Sequence, residues 1–297
     1  MNNESGLKGI ILKGIGGFYY IETAEGVFEC KARGVFRREG LTPVAGDRVI
    51  ITPGEEENKG VIDLIEERKN VLIRPPVANL DRLIITSSVA EPYPNLFVLD
   101  KLIAICETKN IEPVIVFTKS DLGSTDEYCR IYRSAGFMSV AVSNVTGEGC
   151  EQVRKCLEGY ISAFTGNSGV GKSSLLNMLY PDLKLETAQI SRKLGRGRHT
   201  TRSVELFKIG NNSYIADTPG FSSLDMQRYE PIRKDDLPYA FREFRKSLGK
   251  CRFTSCTHTA EPDCDIRLRL EAGEIEKTRY DSYIKMYEEV KNIPDWK

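Results

Sequence analysis

The sequence has no excess of charge of either sign. Its 297 residues include 42 lysine and arginine residues and 42 aspartate and glutamate residues, so the formal net charge is zero. A strongly basic chain would attract nucleic acid over its whole surface, whereas a balanced chain must use local patches for any such contact. The composition therefore excludes a protein whose overall charge drives it onto nucleic acid.

The chain also lacks long apolar runs, repeats and low-complexity tracts. It begins with the polar residues 1–5 (MNNES), and no apolar run is long enough for a signal peptide or a membrane span. Its length allows two or three domains. We therefore expect a cytoplasmic protein with no membrane partner, and we expect it to act as a monomer.

Histidine is scarce, with two residues in the chain, and one of them lies among cysteines. Cys251, Cys256, His258 and Cys264 offer three thiolates and one imidazole within a short stretch. Such a closed set of donors is typical of structural zinc, because a catalytic zinc needs an open coordination position. The alternative is a group of scattered cysteines in a reduced cytosol. The other cysteines are dispersed, and we predict buried thiols rather than disulfides. They are Cys30, Cys106, Cys129, Cys150 and Cys156.

A complete phosphate-binding loop, here called the phosphate loop, occupies residues 166–174 (GNSGVGKSS). Its glycines let backbone N–H groups turn inward around phosphate oxygens. Lys172 is predicted to reach the β- and γ-phosphates, Ser173 to bind Mg²⁺ and Ser174 to meet the α-phosphate. A strand predicted over residues 160–165 and a helix over Lys172–Leu179 would place the phosphates at a helix N-terminus; the alternative is a glycine-rich turn. The predicted phosphate-binding residues are Gly166, Asn167, Ser168, Gly169, Val170, Gly171, Lys172, Ser173 and Ser174.

A guanine motif, residues 118–121 (TKSD), follows a strand predicted over residues 113–117. Asp121 can accept hydrogen bonds from the N1–H and N2–H₂ groups of guanine, and adenine offers no such pair. Lys119 can lie along the base, and Thr118 stands where Asn is usual. The motif therefore predicts a GTP site, with a P-loop ATPase as the alternative. Another predicted strand, residues 140–143, and the turn after it would bring N–H groups to the guanine O6.

Downstream of the phosphate loop, a predicted strand leads into residues 217–220 (DTPG). Asp217 can hold a water molecule on Mg²⁺, and the Gly220 N–H can meet the γ-phosphate. Phe221 follows, where Ras-type GTPases carry the Gln that orients the attacking water. A phenyl ring cannot orient water, so the hydrolytic residue must lie elsewhere.

A loop of arginines and glycines, residues 191–202 (SRKLGRGRHTTR), lies between the phosphate loop and Asp217. His199 is predicted to orient the attacking water in place of the missing Gln. Thr200 or Thr201 would close over Mg²⁺ and the γ-phosphate, and Thr200 is favoured. The alternatives are a solvated loop without a catalytic role, or arginines that stabilise the transition state. The predicted catalytic residues are His199, Lys172 and Thr200, and the predicted magnesium ligands are Ser173 and Thr200.

The first 71 residues contain short alternating strands with glycine turns, which predict an OB-type β-barrel, with an SH3-like barrel as the alternative. The strands are predicted over residues 18–23, 27–33, 48–52 and 60–65. Arginines flank Phe36 in one predicted loop, a pattern that suits RNA but also an ordinary solvated surface. Residues 74–76 (RPP) are predicted to form a linker. Beyond Arg82, strands alternate with amphipathic helices such as residues 96–108, which predicts an α/β domain with a mainly parallel sheet.

The motif order resembles that of the circularly permuted GTPases, because ordinary GTPases carry the phosphate loop before the guanine motif. The turn at residues 45–49 (AGDRV) and the cysteine–histidine stretch further resemble the ribosome-small-subunit-dependent GTPase A family, also called RsgA or YjeQ, over nearly the whole chain. The resemblance implies one zinc on the four residues above. It also implies GTP hydrolysis during late maturation of the small ribosomal subunit, stimulated by that RNA particle.

Together these observations predict a multidomain α/β protein that binds GTP, GDP, Mg²⁺ and ribosomal RNA. The predicted domains are an OB-type barrel over residues 1–71, a circularly permuted P-loop GTPase domain over 72–227 and a zinc-binding helical domain over 228–297. The alternative function is a nucleotide-gated rRNA-binding module whose turnover is incidental.

Overall fold

The computed structural model describes residues 6–181, 204–217 and 230–293. The chain divides into two compact units, each made of three segments. The first contains Met1–Arg82, Cys156–Phe164 and Tyr180–Phe221, and the second contains Leu83–Lys155, Thr165–Leu179 and Ser222–Lys297. Among the described residues, no helix is both long and apolar enough to cross a membrane.

The first unit contains a closed five-stranded barrel in the order β1-β2-β3-β5-β4. Strands β3 and β5 are parallel, and the other neighbours are antiparallel. A short helix, α1 (Gly34–Arg38), lies between β3 and β4. This architecture confirms the OB-type barrel. The strands are β1 (Leu7–Ile15), β2 (Phe18–Thr23), β3 (Gly26–Ala32), β4 (Arg48–Pro53) and β5 (Lys59–Ile65). Fully buried aliphatic side chains fill the interior, and they include Ile11, Ile21, Ile51 and Ile62.

The aromatic residue of the predicted RNA-binding loop belongs to the barrel core instead. Phe36 lies on α1 and is 6 % exposed, so its ring cannot stack on a base. Arg37 and Arg38 on the same helix are exposed, and Arg33 forms an ion pair with Asp63. The Phe36 side chain anchors the helix in the core, and the arginines remain on the surface.

The turn at residues 45–49 requires the glycine at position 46 and holds the carboxylate at position 47 in paired contacts. Gly46 has φ +89°, and a Cβ there would lie 2.1 Å from the Ala78 carbonyl oxygen, so only glycine fits. Asp47 is fully buried and accepts hydrogen bonds from the Val44 N–H at 2.8 Å and the Arg68 Nε at 2.7 Å. The carboxylate is paired, as burial of a charge requires.

Residues 74–76 do not form the predicted linker. They lie in the turn between two short antiparallel strands, β6 (Val71–Leu72) and β7 (Val77–Ala78), and the residues of β7 are buried.

The first unit also contains three strands from later in the chain, β11 (Ile161–Thr165), β12 (Glu205–Gly210) and β13 (Ser213–Asp217), except that the last residue of β11 belongs to the second unit. Strand β13 pairs parallel to β11 and antiparallel to β12.

The second unit contains the neighbouring strands β8 (Arg82–Ser88), β9 (Glu112–Thr118) and β10 (Met138–Val142), except that the first residue of β8 belongs to the first unit. Strands β9 and β10 are parallel. Most side chains of these strands are buried, and many of them are β-branched or aromatic. This pattern is expected for a sheet covered on both faces. Helix α2 has the predicted bounds, and so does α5, which begins within the phosphate loop. The helices are α2 (Leu96–Thr108), α3 (Asp126–Ser134), α4 (Cys150–Leu157), α5 (Lys172–Leu179), α6 (Asp265–Glu271) and α7 (Lys277–Val290), with 3-10 turns at Leu237–Ala240 and Arg242–Phe244.

A buried ionic network joins the C-terminal segment to α2. The Arg279 guanidinium on α7 donates to Asp100 Oδ1 at 2.7 Å and to Glu243 Oε1 at 2.8 Å, and all three side chains are at most 4 % exposed. Burial opposes the charge on Arg279, but the facing carboxylates outweigh it and raise the pKa of the guanidinium. Arg242 adds a second contact by donating to Glu107 Oε1 on α2 at 2.6 Å.

Candidate nucleotide site and metal centre

The phosphate loop has the backbone that its glycines predict. Gly166, Gly169 and Gly171 have φ values of +147°, +80° and +92°. A Cβ on Gly166 would lie 2.3 Å from the Thr86 carbonyl oxygen, so the close approach of two backbones requires glycine there. Val170 is buried beneath the loop, while Asn167, Ser168 and Gly169 are exposed. The loop thus presents its polar backbone outward and anchors itself with one apolar side chain.

Lys172 lies folded over its own loop. Its Nζ donates to the Gly166 carbonyl at 2.5 Å and to the Asn167 carbonyl at 2.9 Å. Burial lowers the pKa of this ammonium group. A phosphate in the loop would offer a full negative charge in place of two carbonyl dipoles. Ser173 and Ser174 lie in the first turn of α5, and both are exposed. An exposed hydroxyl beside a phosphate cradle suits Mg²⁺, which binds oxygen ligands and keeps several waters.

Asp121 is exposed, and a short hydrogen bond from Ser143 orients its carboxylate. The Ser143 hydroxyl, which follows β10, donates to Asp121 Oδ1 at 2.7 Å. Ser143 Oγ also accepts from the N–H groups of Val145 at 3.2 Å and Thr146 at 3.1 Å, so its one proton is committed to the carboxylate. Both oxygens of an ionised carboxylate can accept further bonds, and the side chain is therefore oriented but still able to bind.

The rest of the guanine motif contacts the surrounding loops. Lys119 has φ +60°, and its Nζ donates to the Glu91 carbonyl at 2.5 Å, in the loop that precedes α2. Thr118 is fully buried, and its Oγ1 lies 3.1 Å from the Ser87 carbonyl and 2.5 Å from the Val170 carbonyl. The motif and the phosphate loop are therefore in direct contact within this unit.

Two residues of this site have no counterpart among the sequence predictions. Asn144 donates from Nδ2 to the Gly171 carbonyl at 3.1 Å, although only its backbone turn was expected to matter. Glu91 supplies the carbonyl that holds Lys119. A backbone acceptor has no signal in the sequence, whereas Asn144 adjoins a predicted strand end and could have been noticed there.

Several predicted site residues lie outside the described structure. They are His199, Thr200 and its alternative Thr201, Gly220, and also Phe221 and the arginines of the basic loop. Asp217 is the last residue of β13, and its side chain also lies outside the description. The predictions for these residues remain predictions.

The four predicted zinc ligands converge in the C-terminal segment. Their ligand atoms all lie within 4.8 Å of one another. The Sγ atoms of Cys251 and Cys264 are 3.9 Å apart, and each is 3.5 Å from His258 Nδ1. Tetrahedral zinc, with bonds of about 2.3 Å to sulfur and 2.0–2.1 Å to nitrogen, would separate these atoms by about 3.8 and 3.5 Å. We call this group the cysteine–histidine cluster, and its donor set and spacing fit one zinc ion.

The electrostatics of the cysteine–histidine cluster also favour a cation. Burial raises the pKa of the Cys256 thiol to about 12, so without a cation this sulfur would stay protonated. Burial lowers the pKa of His258, which keeps the imidazole in the neutral form that binds metals. A divalent ion would supply the positive charge that thiolates need in this setting.

Glu261 orders the loop that carries His258, and sequence analysis missed it. Its carboxylate accepts from the N–H groups of Thr257 at 2.7 Å and Thr259 at 3.0 Å. Burial acts to raise the pKa of Glu261, but hydrogen bonds from Thr257 and neighbouring N–H groups outweigh it and lower the pKa to about 2. The Tyr280 hydroxyl on α7 donates to the His258 carbonyl at 2.8 Å. These contacts support His258 at φ +61°.

The other cysteines form no disulfide within the described structure, and all of them are buried, as predicted. They are Cys30, Cys106, Cys129, Cys150 and Cys156.

Two family models match successive parts of the chain. The model described as RsgA N-terminal domain matches residues 8–62, which include most of the barrel. The model described as RsgA GTPase matches residues 65–227, which include the guanine motif and the phosphate loop.

Full-length relatives and solved structures resemble the chain along its whole length. The small ribosomal subunit biogenesis GTPase RsgA of Geobacillus thermodenitrificans (strain NG80-2) is 47 % identical over 291 residues, with 96 % of this chain and 97 % of the relative covered. The protein of the same name from Geobacillus sp. (strain WCH70) is 45 % identical over 290 residues, with the same coverage. The crystal structure of YjeQ from Thermotoga maritima has 36 % identity and a TM-score of 0.84, covering 97 % of this chain and all of its own. That of YloQ, a circularly permuted GTPase, has 31 % identity and a TM-score of 0.79, covering 99 % and 98 %.

Proposed function

The chain belongs to the RsgA GTPase family, and we propose that it hydrolyses GTP as a late assembly factor of the small ribosomal subunit. One observation carries the proposal. Asp121, oriented by the Ser143 hydroxyl, belongs to a motif whose first residue touches the phosphate loop. The groups proposed to select guanine and to bind the triphosphate would thus lie together in one compact unit, which supports GTP hydrolysis.

The nucleotide contacts follow from groups that the protein leaves available. The carboxylate of Asp121 would accept from guanine N1–H and N2–H₂. The N–H groups of Val145 and Thr146 already bond to Ser143, and the described structure gives the Asn144 N–H no partner, so that group would donate to the guanine O6. Lys172 would turn from its loop carbonyls to the β- and γ-phosphates, and Ser173, with Thr200, would hold Mg²⁺.

The protein supplies the charge stabilisation that phosphoryl transfer needs. Lys172 and the loop N–H groups would oppose the charge on the transferred phosphoryl group, and Mg²⁺ held by Ser173 and Thr200 would supply further positive charge there. His199 would orient the attacking water, Asp217 would hold a water molecule on Mg²⁺, and the Gly220 N–H would meet the γ-phosphate. The cysteine–histidine cluster would hold one structural zinc ion. Three domains over residues 1–71, 72–227 and 228–297 would let the barrel and the zinc-binding segment grip ribosomal RNA, in a cytoplasmic monomer.

The function is tested by measuring GTP hydrolysis with and without purified small ribosomal subunits. We expect slow hydrolysis by the protein alone and a steep rise on adding subunits, while ATP is not hydrolysed in either case. Large ribosomal subunits at the same concentration serve as the control. Equal rates with and without small subunits would instead support an RNA-binding module whose turnover is incidental.

The role of His199 is tested separately, by single-turnover rates with subunits present. Replacing His199 with Ala should leave GTP affinity nearly intact and remove most of the stimulated rate. The matched comparison is Arg198→Ala, because the competing account assigns charge stabilisation to the arginines of this loop. A His199→Ala protein that is stimulated as strongly as the parent would leave the loop with a docking role only.

A further inference from the structure

We propose that Asn144 is a positioning residue that, together with Thr118, ties the guanine-binding side of the site to the phosphate loop. The proposal rests on the proposed function, since it concerns the same nucleotide site. Its starting point is a pair of contacts on successive carbonyls. The Thr118 hydroxyl lies 2.5 Å from the Val170 carbonyl, and the Asn144 amide donates to the Gly171 carbonyl at 3.1 Å.

Both side chains hydrogen-bond to the phosphate loop, and Thr118 alone cannot bind both loop carbonyls. A hydroxyl has one proton to donate, and that of Thr118 lies between two acceptors, the carbonyls of Ser87 and Val170. The amide usual at position 118 has two donor hydrogens. In this chain the second amide donor comes from Asn144, which follows the neighbouring strand β10 and reaches the next carbonyl along the loop. Asn144 therefore supplies the amide donor that is missing because Thr stands in place of Asn at position 118.

The packing around Gly171 supports a built contact rather than a chance one. A Cβ on Gly171 would lie 2.8 Å from Asn144 Nδ2 and 3.7 Å from Thr118 Oγ1, so both side chains pack directly on this glycine. The orientation of the amide is also determined, because only its NH₂ group can face a carbonyl oxygen. Its Oδ1 is buried without a hydrogen-bond partner among the described residues, which is unfavourable. The chain accepts that cost while keeping the bond to the loop.

The consequence concerns the backbone that cradles phosphate. Val170 and Gly171 immediately precede Lys172, so fixing their carbonyls fixes the direction in which the following N–H groups point. The side-chain tie acts on the phosphates, and it leaves the base edge to the Asp121 carboxylate and the Asn144 backbone N–H. Losing it should therefore weaken all diphosphates that use this loop, whatever their base.

The test compares GDP and inosine diphosphate, which lacks the exocyclic amine of guanine. We expect Asn144→Ala to weaken both by about 3- to 10-fold, the usual effect of one hydrogen bond, with their affinity ratio unchanged. The near-isosteric Asn144→Asp should weaken both at least as much, because its carboxylate would face the Gly171 carbonyl. Restoring an amide with Thr118→Asn in the Asn144→Ala protein should recover most of the affinity.

The matched control is Asn177→Ala, an exposed asparagine on α5 that should bind both nucleotides like the parent. Parent-like affinity in both Asn144 variants would overturn the proposal alone. A changed ratio of GDP to inosine diphosphate affinity would also overturn it, since Asn144 would then act on the base. No recovery in the double variant would contradict the shared role of Thr118. A parent protein without GDP affinity would overturn the proposed function as well.

Discussion

Asp121 is the residue that we propose sets the choice of base. Its carboxylate is exposed and held by the Ser143 hydroxyl, so it presents an acceptor to a base without having to reorient. Substituting Asn places a donor where guanine offers its amine, while xanthine offers a carbonyl there. On this proposal, the preference for guanine depends on the chemistry of this single carboxylate.

We expect Asp121→Asn to weaken GDP binding by about 10- to 100-fold, the range for hydrogen bonds to a charged group. Binding of xanthosine diphosphate should improve. Titrations of both nucleotides against both proteins measure the change. Asp126→Asn, an exposed carboxylate in the first turn of α3, is the matched control and should alter neither affinity. An unchanged preference in the Asp121 variant would remove its role in reading the base.

Lys172 is the residue that we propose carries positive charge to the phosphates. Its ammonium now rests on two loop carbonyls, and the variant Lys172→Ala has no charge to transfer to a phosphate. We expect GTP hydrolysis, measured as phosphate release, to fall by about 100-fold or more. Lys155→Ala, at an exposed position on α4, should keep the parent rate. Hydrolysis by Lys172→Ala at the parent rate would contradict the assignment of the phosphate loop.

Sequence motifs predict residues such as Asp121 and Lys172 because their chemistry and their local spacing coincide. Asn144 and Glu261 escaped prediction because each acts through partners that its own segment does not specify. Asn144 contacts a carbonyl 27 positions away in the chain. Glu261 orders its loop because several backbone N–H groups donate to its carboxylate. The prediction for Phe36 was also wrong. The neighbouring arginines suggested that its ring lies on the surface, but the ring packs in the barrel core.

Helix α2 is the element on which the C-terminal segment is held. Arg279 on α7 and Asp100 on α2 are 179 positions apart in the chain, and both are 1 % exposed. Removing one partner of a buried ion pair leaves the other charge unpaired in a low-dielectric interior. The attachment of the C-terminal helices should therefore be sensitive to a single substitution.

We expect Arg279→Met to lower the free energy of unfolding by about 3–5 kcal/mol, measured by urea denaturation. Lys277→Met on the same helix is the matched control. Lys277 pairs with Asp281 but is 79 % exposed, and its loss should cost less than about 1 kcal/mol. Equal stabilities of the two variants would show that the buried network contributes little to folding.

The cysteine–histidine cluster gives a prediction for the segment before α6. Metal analysis of the purified protein should find roughly one zinc per chain. The double variant Cys256→Ser/Cys264→Ser should lose it, and the circular dichroism of the C-terminal helices should fall, because metal binding and folding are coupled at such sites. A Cys30→Ala/Cys129→Ala protein should keep its zinc. Full zinc content in the serine variant would rule out this ligand set.

Elements were predictable where their pattern was strong. The long apolar periodicity of α2 gave its bounds, and the alternating residues of β2 did the same. Strand β1 and helix α1 were missed because glycines interrupt the first and arginines dominate the second. The prolines of residues 74–76 suggested a linker, yet their neighbours Leu72 and Val77 are buried in a short hairpin. Tertiary packing decided these cases.

In the molecule as a whole, the guanine motif and the phosphate loop, which we propose bind the nucleotide, both lie in the second unit. Binding to the folded state alone stabilises it by mass action, so GDP at about 100 times its Kd should add about 2.7 kcal/mol. For a unit of this size, the melting temperature should rise by about 5–10 °C. ADP at the same concentration should produce no shift. Hydrogen exchange should slow at residues 118–121 and 166–174; a GDP shift without such protection would place the site elsewhere.

The reversed order of the motifs has a consequence in time. A ribosome makes a chain from its amino end, so residues 118–121 emerge before Gly166, roughly 45 residues later. At about 5–20 residues per second, the interval is about 2–9 s. During this interval the nascent chain carries Asp121, the carboxylate proposed to select guanine, without the loop proposed to bind phosphate. The barrel and the strands beside Asp121 are therefore made before the protein can capture its first nucleotide, whereas an ordinary GTPase exposes its phosphate cradle at the start of synthesis.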